Sequence, residues 1–109
     1  MRLAPHPLVS RDIDGIVDHI LAVTDGDVAA AVRRLDEIDA LLVSILENPQ
    51  SGARLPTSLD GWIARHGGRD RKITVVFKPD PQADLLLVAL VAFGGRDWLT
   101  LAPSRRFGE

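Results

Sequence analysis

The N-terminal half of the sequence contains two stretches whose apolar residues recur at the spacing of an amphipathic helix. The first follows Ser10, a favourable N-cap residue, and its apolar positions lie three, one, three and one apart: Ile13, Ile16, Val17, Ile20 and Leu21. The second runs from about Asp27 to about Glu47, with apolar residues at Val28, Val32, Leu35, Ile38, Leu42, Ile45 and Leu46. Only Thr24-Asp25-Gly26 separates them, and so short a connection predicts an antiparallel helical hairpin.

Acidic residues stand near the start of the first predicted helix. Asp12 and Asp14 fall in its first turn, where the helix dipole favours negative charge. The sequence therefore predicts that both carboxylates support the N-terminal end of this helix.

In the C-terminal half the apolar period changes to two, which is typical of strands. Strands are predicted at three places: near residues 61–66, 72–78 and 85–93. Gly67-Gly68, between the first two strands, is typical of a two-residue hairpin turn. The last strand, Leu85–Phe93, is apolar on both faces, as a central strand covered on both sides would be.

The N-terminal segment Arg2–Val9 is predicted to be a strand at the border of the sheet. Pro5 and Pro7 remove two backbone donors from the same side of this strand, so that side cannot pair with a neighbour. The order of elements is then β-α-α-β-β-β. The fold class is α+β, with a helical hairpin packed on one face of a small, mostly antiparallel sheet.

The last predicted strand needs more cover than one helical hairpin can provide. One of its two apolar faces needs a second cover: either Leu86, Val88 and Leu90, or else Leu85, Leu87 and Val91. The C-terminal tail could supply that cover, and so could a partner. A face left uncovered by the chain would be a binding surface.

Composition and charge set bounds on these possibilities. The chain has 109 residues, 46% of them hydrophobic, and no cysteine, so we expect one domain over residues 1–109, with 98–109 as a tail and without disulfides. Its first seven residues do not resemble a signal peptide. Its densest apolar stretch is under half of the roughly 20 residues of a membrane span. A cytoplasmic protein without a membrane partner is therefore expected.

The net charge of −2 conceals an asymmetry between the two halves. Residues 1–60 carry five Lys/Arg against ten Asp/Glu, a net of −5, whereas residues 61–109 carry eight against five, a net of +3. A basic C-terminal half is a candidate surface for an anionic partner.

The sequence lacks most motifs of catalysis and cofactor binding. It has no phosphate-binding glycine loop, nucleophile elbow or paired-histidine metal motif, and its three histidines are far apart, so neither a cofactor nor a metal is expected. What remains is a basic hairpin: Arg65, His66, Arg69, Arg71, Lys72 and Lys78, joined by Arg96 after the last strand. Such residues can bind a phosphodiester, and they can equally be solvent-facing residues that protect strand edges.

The chain resembles the RelE/ParE superfamily of toxins from type II toxin–antitoxin systems. The resemblance extends from the first strand to Trp98 and depends on the order β-α-α-β-β-β together with a series of short motifs. These motifs are Asn48-Pro49 with Gly52 and Arg54, Leu59-Asp60-Gly61-Trp62, the basic run Arg69 to Lys72 before Ile73-Thr74-Val75-Val76-Phe77, and an apolar strand that ends in Gly94-Gly95-Arg96-Asp97.

The resemblance implies a toxin that a cognate antitoxin neutralises by wrapping its C-terminal segment around the toxin sheet. ParE-like members poison DNA gyrase, and this branch is favoured by the long helical hairpin and the Gly-Arg-Asp ending. RelE-like members cut ribosome-bound mRNA with basic residues and a tyrosine. This chain has no tyrosine, so His66 or Asp97 would have to act instead. A third alternative is a non-toxic protein-interaction module of the same fold.

The predicted site residues differ between these alternatives. A ribonuclease site would use Arg69, Arg71, Arg96 and His66. An antitoxin in a hetero-oligomer with the chain would contact Leu86, Val88, Leu90, Lys78 and Arg96.

Overall fold

A computed structural model describes residues 1–55, 61–94 and 98–105 of the chain. The described helices are α1 (Val9–Val23), α2 (Val28–Glu47) and the single-turn α3 (Trp98–Leu101). The strands are β1 (Arg2–Pro5), β2 (Ala53–Arg54), β3 (Ile63–Gly67), β4 (Ile73–Asp80) and β5 (Leu85–Phe93). The predicted α+β class is confirmed, and β2 and α3 are additions that the sequence pattern did not predict.

The strands form one sheet in the order β1-β5-β4-β3-β2. β1 pairs in parallel with β5, and every other pairing is antiparallel. The predicted edge position of β1 is therefore confirmed. The strand is shorter than predicted, because the N–H of Val9 donates to the His6 carbonyl at 2.9 Å and the N–H of Leu8 to His6 Nδ1 at 3.1 Å. This turn starts α1 at Val9, ahead of the predicted cap at Ser10.

The helical hairpin forms as predicted. Asp27 caps α2 by accepting the N–H of Ala30 at 3.1 Å, which satisfies one of the free donors of the first turn. The turn between the helices places Asp25 at φ 56° and Gly26 at φ 86°. Both residue types tolerate this left-handed conformation, so the chain can reverse within a few residues.

Both helices pack on the same face of the sheet, which is the predicted arrangement. The buried core on this face combines residues of both helices with residues of three strands: Val9, Ile16, Ile20, Ala31, Ile38, Leu41, Ile45, Ile63, Ile73, Val75, Phe77, Leu86, Val88 and Val91.

The opposite face of the sheet is covered by the C-terminal segment of the chain. Its apolar cluster consists of Ala64, Val76, Ala89, Leu90, Ala92 and Ala102, with Leu55, Trp62, Trp98 and Leu101 packed against it. The sequence allowed either the C-terminal tail or a partner as the second cover, and in the structure the tail provides it. The tail face, as we call this side, is not an open apolar surface.

A β-bulge divides the residues of β5 between the two faces. Val76 lies opposite Leu90, but the next residue, Phe77, lies opposite Val88, so Ala89 is an extra residue on β5. Leu86 and Val88 consequently face the helices, whereas Leu90 faces the tail. The prediction that these three share one face by simple alternation is wrong.

The connection between β3 and β4 is longer than the predicted two-residue turn. Gly67 belongs to β3, and a 3₁₀ turn at Arg69–Arg71 precedes β4. Gly68 has φ 75°, and a Cβ atom there would lie 2.8 Å from the Ile73 side chain. Asp70 and Arg71 also have positive φ, at 58° and 57°. The backbone turns tightly here, so Arg69 and Arg71 lie in different places. Arg71 lines one cavity and Arg69 lines two others.

A buried ion pair secures the tail to the sheet. The side chains of Asp12 and Arg105 are each 6% exposed, and Arg105 Nη2 lies 2.8 Å from Asp12 Oδ1. Arg105 Nη1 also donates to Asp12 Oδ2 at 3.0 Å and to the Ala89 carbonyl at 3.1 Å. Asp12 Oδ2 accepts the N–H of Val91 at 3.1 Å.

The pair occupies the edge of β5 beyond the end of β1. β1 ends at Pro5, opposite Val88, and the next residues of β5 would otherwise present unpaired backbone groups. Asp12 and Arg105 satisfy one donor and one acceptor of that edge. Asp12 is thus a buried structural residue as well as a first-turn acid, which its position in the sequence alone did not reveal.

Candidate functional site

An open groove of about 610 Å³ lies where β2 ends beside β3. We call it the β3 groove, and its lining residues are Ser51, Gly52, Ala53, Ala64, Arg65, His66 and Arg71. β2 covers only the first part of β3, because Ala53 is paired with Ala64 and Arg54 with Ile63. No described strand pairs with the rest of β3 on this side, and the groove occupies that space.

Gly52 brings the chain close to β3 at the mouth of the groove. It has φ 141°, and a Cβ atom there would lie 2.8 Å from the backbone oxygen of Ala64. Contacts this short with backbone cannot be relieved by a side-chain movement, so a larger residue would displace β2. Glycine at this position therefore shapes the groove.

His66 is held on the tail face by two neighbours. Its Nδ1 lies 2.7 Å from Thr74 Oγ1, a hydroxyl of a buried residue on β4. Its ring meets Trp98 edge-on, with centroids 6.1 Å apart and an angle of 60° between the planes. These contacts orient the imidazole within the β3 groove, which Arg71 also lines.

Arg65 adds a positive charge to the groove, and its contacts hold this charge in place. It alternates with His66 along β3 and reaches the helix side, where Nη1 donates to the Ser44 carbonyl at 3.2 Å and Nη2 to the Ser44 hydroxyl. Both contacts tie the guanidinium to α2. Arg65 was part of the basic hairpin recognised in the sequence, but nothing in its spacing distinguished it as a groove residue.

The other basic residues predicted for a ribonuclease site do not meet in this groove. Arg69 lines separate cavities between the 3₁₀ turn and the helices. Lys78 is near the far end of β4 and packs against Gly61, where a Cβ atom would lie 2.9 Å from Lys78 Cε. Arg96, like Asp97, lies outside the described residues. The structure therefore brings together His66 and Arg71 and separates Arg69 from both.

The apolar residues predicted to contact an antitoxin are buried within the chain. Leu86 is 0% exposed and Val88 1% exposed, both beneath the helices, and Leu90 is 1% exposed beneath the tail. The prediction assumed an uncovered strand, whereas in this structure the chain covers both faces of the sheet. In this fold these three side chains are not accessible to a partner.

The described residues contain no group of three or more metal-binding side chains, and no described helix has the length and apolar content required to cross a membrane. The residues that line the β3 groove include two arginines and one histidine. The groove thus offers positive charge and one imidazole. In comparisons with known proteins, no family model, no curated protein and no solved structure matches this chain.

Proposed function

We propose that this chain is the toxin of a type II toxin–antitoxin pair, that it is ParE-like, and that it arrests growth by binding a protein target such as DNA gyrase. The observation that carries the proposal is the order of the elements in space. A helical hairpin follows the edge strand β1, packs on one face, and precedes strands that return to β1. This is the arrangement that the resemblance to the RelE/ParE superfamily leads one to expect.

The β3 groove supports a specific place for the antitoxin. Because both faces of the sheet are covered, the edge of the sheet is the favoured place for the antitoxin. The β3 groove combines an open strand side with Arg65 and Arg71. An acidic, extended segment of the antitoxin would pair along β3 and place carboxylates beside these arginines.

Charge reversal in the groove tests this docking site. We expect Arg71→Glu to lower the recovery of a complex with the co-expressed product of the adjacent reading frame, since like charges would then face each other. Arg11→Glu, an exposed change outside the groove, is the matched control and should leave recovery unchanged. The measurement is size-exclusion chromatography after co-expression. Equal recovery of complex with Arg71→Glu and wild type would contradict the site.

A second function is favoured by one observation, the common location of His66 and Arg71. An imidazole beside a guanidinium can serve proton transfer at a bound phosphodiester, as a RelE-like endoribonuclease would require. Mapping mRNA ends and gyrase-dependent DNA breaks after induction separates the two toxin mechanisms. We expect DNA breaks without new mRNA ends. New mRNA ends that disappear in His66→Gln would establish the ribonuclease instead.

A further inference from the structure

A second groove, away from the β3 groove, follows the exposed side of α1 between the helices and the start of β4. It consists of three adjoining cavities. His19 and Phe93 line both the first and the second cavity, and Arg34 and Arg69 line both the second and the third. The largest measures about 320 Å³, which lies within the range of roughly 300–1,000 Å³ of small-molecule sites. We call this feature the α1 groove.

One end of the α1 groove is basic. Four cations line its second and third cavities: Arg33, Arg34, Arg69 and Lys72. Three acids stand against them, Asp27 and Asp70 in the lining and Glu37 paired with Arg34, so the local net charge is +1 in a chain whose net charge is −2. Residues from both helices, from the 3₁₀ turn and from the position just before β4 converge here. The fold therefore concentrates positive charge that is dispersed along the sequence.

Glu37 positions two of these arginines without occupying the ends of their side chains. Its Oε2 lies 2.9 Å from Arg34 Nε, and its Oε1 accepts the backbone N–H of Arg69 at 3.1 Å. Among the described residues, neither arginine has a protein acceptor for its terminal Nη groups. These groups form the fork that binds phosphate oxygens in pairs.

The other end of the α1 groove is apolar and aromatic. The rings of His19 and Phe93 lie 5.9 Å apart and are inclined by 54°, and the side chain of Ile16 lines the same cavity. Gly15 contributes no side chain, and a Cβ atom there would have no neighbour within 4 Å, so this end stays open. A planar ring could lie against Phe93 while an attached anion reached the arginines.

We propose that the α1 groove binds a nucleoside phosphate, with the base against Phe93 and the phosphate at Arg34, Arg69 and Lys72. This site is separate from the β3 groove and does not depend on the toxin function. Two ligands have this chemistry: a free nucleotide and the end of a single nucleic-acid strand. Adenosine monophosphate and hexa-adenylate are the probes that distinguish them.

Calorimetric titration of the full chain tests the proposal. Wild type should bind adenosine monophosphate at least about ten-fold more tightly than either adenosine or inorganic phosphate, because only the nucleotide fills both ends. Arg69→Gln and Lys72→Gln should each weaken nucleotide binding by about ten-fold, the loss expected when a charged hydrogen-bonding partner is removed. Both side chains belong to exposed residues, and Arg69→Gln keeps the backbone N–H bound to Glu37.

Two further variants refine the test. One shows whether the base contributes to binding, and the other shows whether the loss of binding comes from the site or from the change in net charge. Phe93→Leu should weaken nucleotide binding and leave the binding of inorganic phosphate unchanged. Arg54→Gln removes one positive charge outside the α1 groove and should change nothing. Binding of hexa-adenylate alone, lost in Arg69→Gln, would support the site with a strand as its ligand. Absence of binding by either probe, or equal losses in Arg54→Gln and Arg69→Gln, would overturn the proposal.

Discussion

Val88→Asp is expected to abolish folding of the isolated chain. Val88 is 1% exposed and lies in the core between β5 and the helices. An aspartate there would bury a charge among apolar side chains, and we expect a cost of more than about 4 kcal/mol. Since whole domains are stable by only about 5–15 kcal/mol, the native state would be largely lost. Far-ultraviolet circular dichroism and chemical denaturation measure the effect.

The same substitution at an exposed valine provides the control. Val28 is 65% exposed and is the first residue of α2, where the helix dipole favours a carboxylate. Val28→Asp should change the free energy of unfolding by less than about 0.5 kcal/mol. A folded Val88→Asp protein of near wild-type stability would show that Val88 is not in the core, and would restore it as a candidate contact for a partner.

Arg105→Ala is expected to lower the free energy of unfolding by about 3–5 kcal/mol, the cost of leaving one member of a buried ion pair without its partner. The substitution removes both contacts to the Asp12 carboxylate and the contact to the Ala89 carbonyl. It should also release the tail, so the fluorescence of Trp98, which packs on the tail face, should change before the global transition.

A double-mutant cycle separates the energy of the ion pair from the energy of the contact that each residue makes with the edge of β5. Asp12→Ala alone should destabilise the chain by a similar amount, and Asp12→Ala with Arg105→Ala should cost clearly less than the sum of the two, with a coupling of about 2–3 kcal/mol. Arg54→Ala, at an exposed arginine bound to Gln50, is the control and should cost less than about 0.5 kcal/mol. Additive single losses would show that the two residues do not act as a pair.

The long helices and the main strands could be predicted from sequence because the patterns that produce them are local. The apolar stripe from Val28 to Leu46 predicted a start at about Asp27, within one residue of the observed start of α2. The prolines correctly placed β1 at an edge. The bulge at Ala89 could not be predicted, because an extra residue in an uninterrupted apolar run changes no local pattern. It nevertheless moved Leu90 to the other face.

The tail and the sites depend on contacts between distant residues, which periodicity does not encode. Asp12 and Arg105 are 93 residues apart, and the sequence presented one as a first-turn acid and the other as part of a tail. The sequence identified the basic residues of the hairpin as one group. Its division into Arg71 at the β3 groove and Arg69 at the α1 groove follows from the left-handed backbone at Asp70, and no spacing rule predicts it.

Viable counts after tightly regulated induction in a bacterial host test the proposal that this chain is a toxin. Wild type and the folded control Val28→Asp should both reduce the number of colony-forming cells by at least about ten-fold, whereas the unfolded variant Val88→Asp should not. Co-expression of the adjacent reading frame should restore growth. Undiminished counts with soluble, folded wild-type protein would contradict the toxin proposal and would favour the non-toxic interaction module.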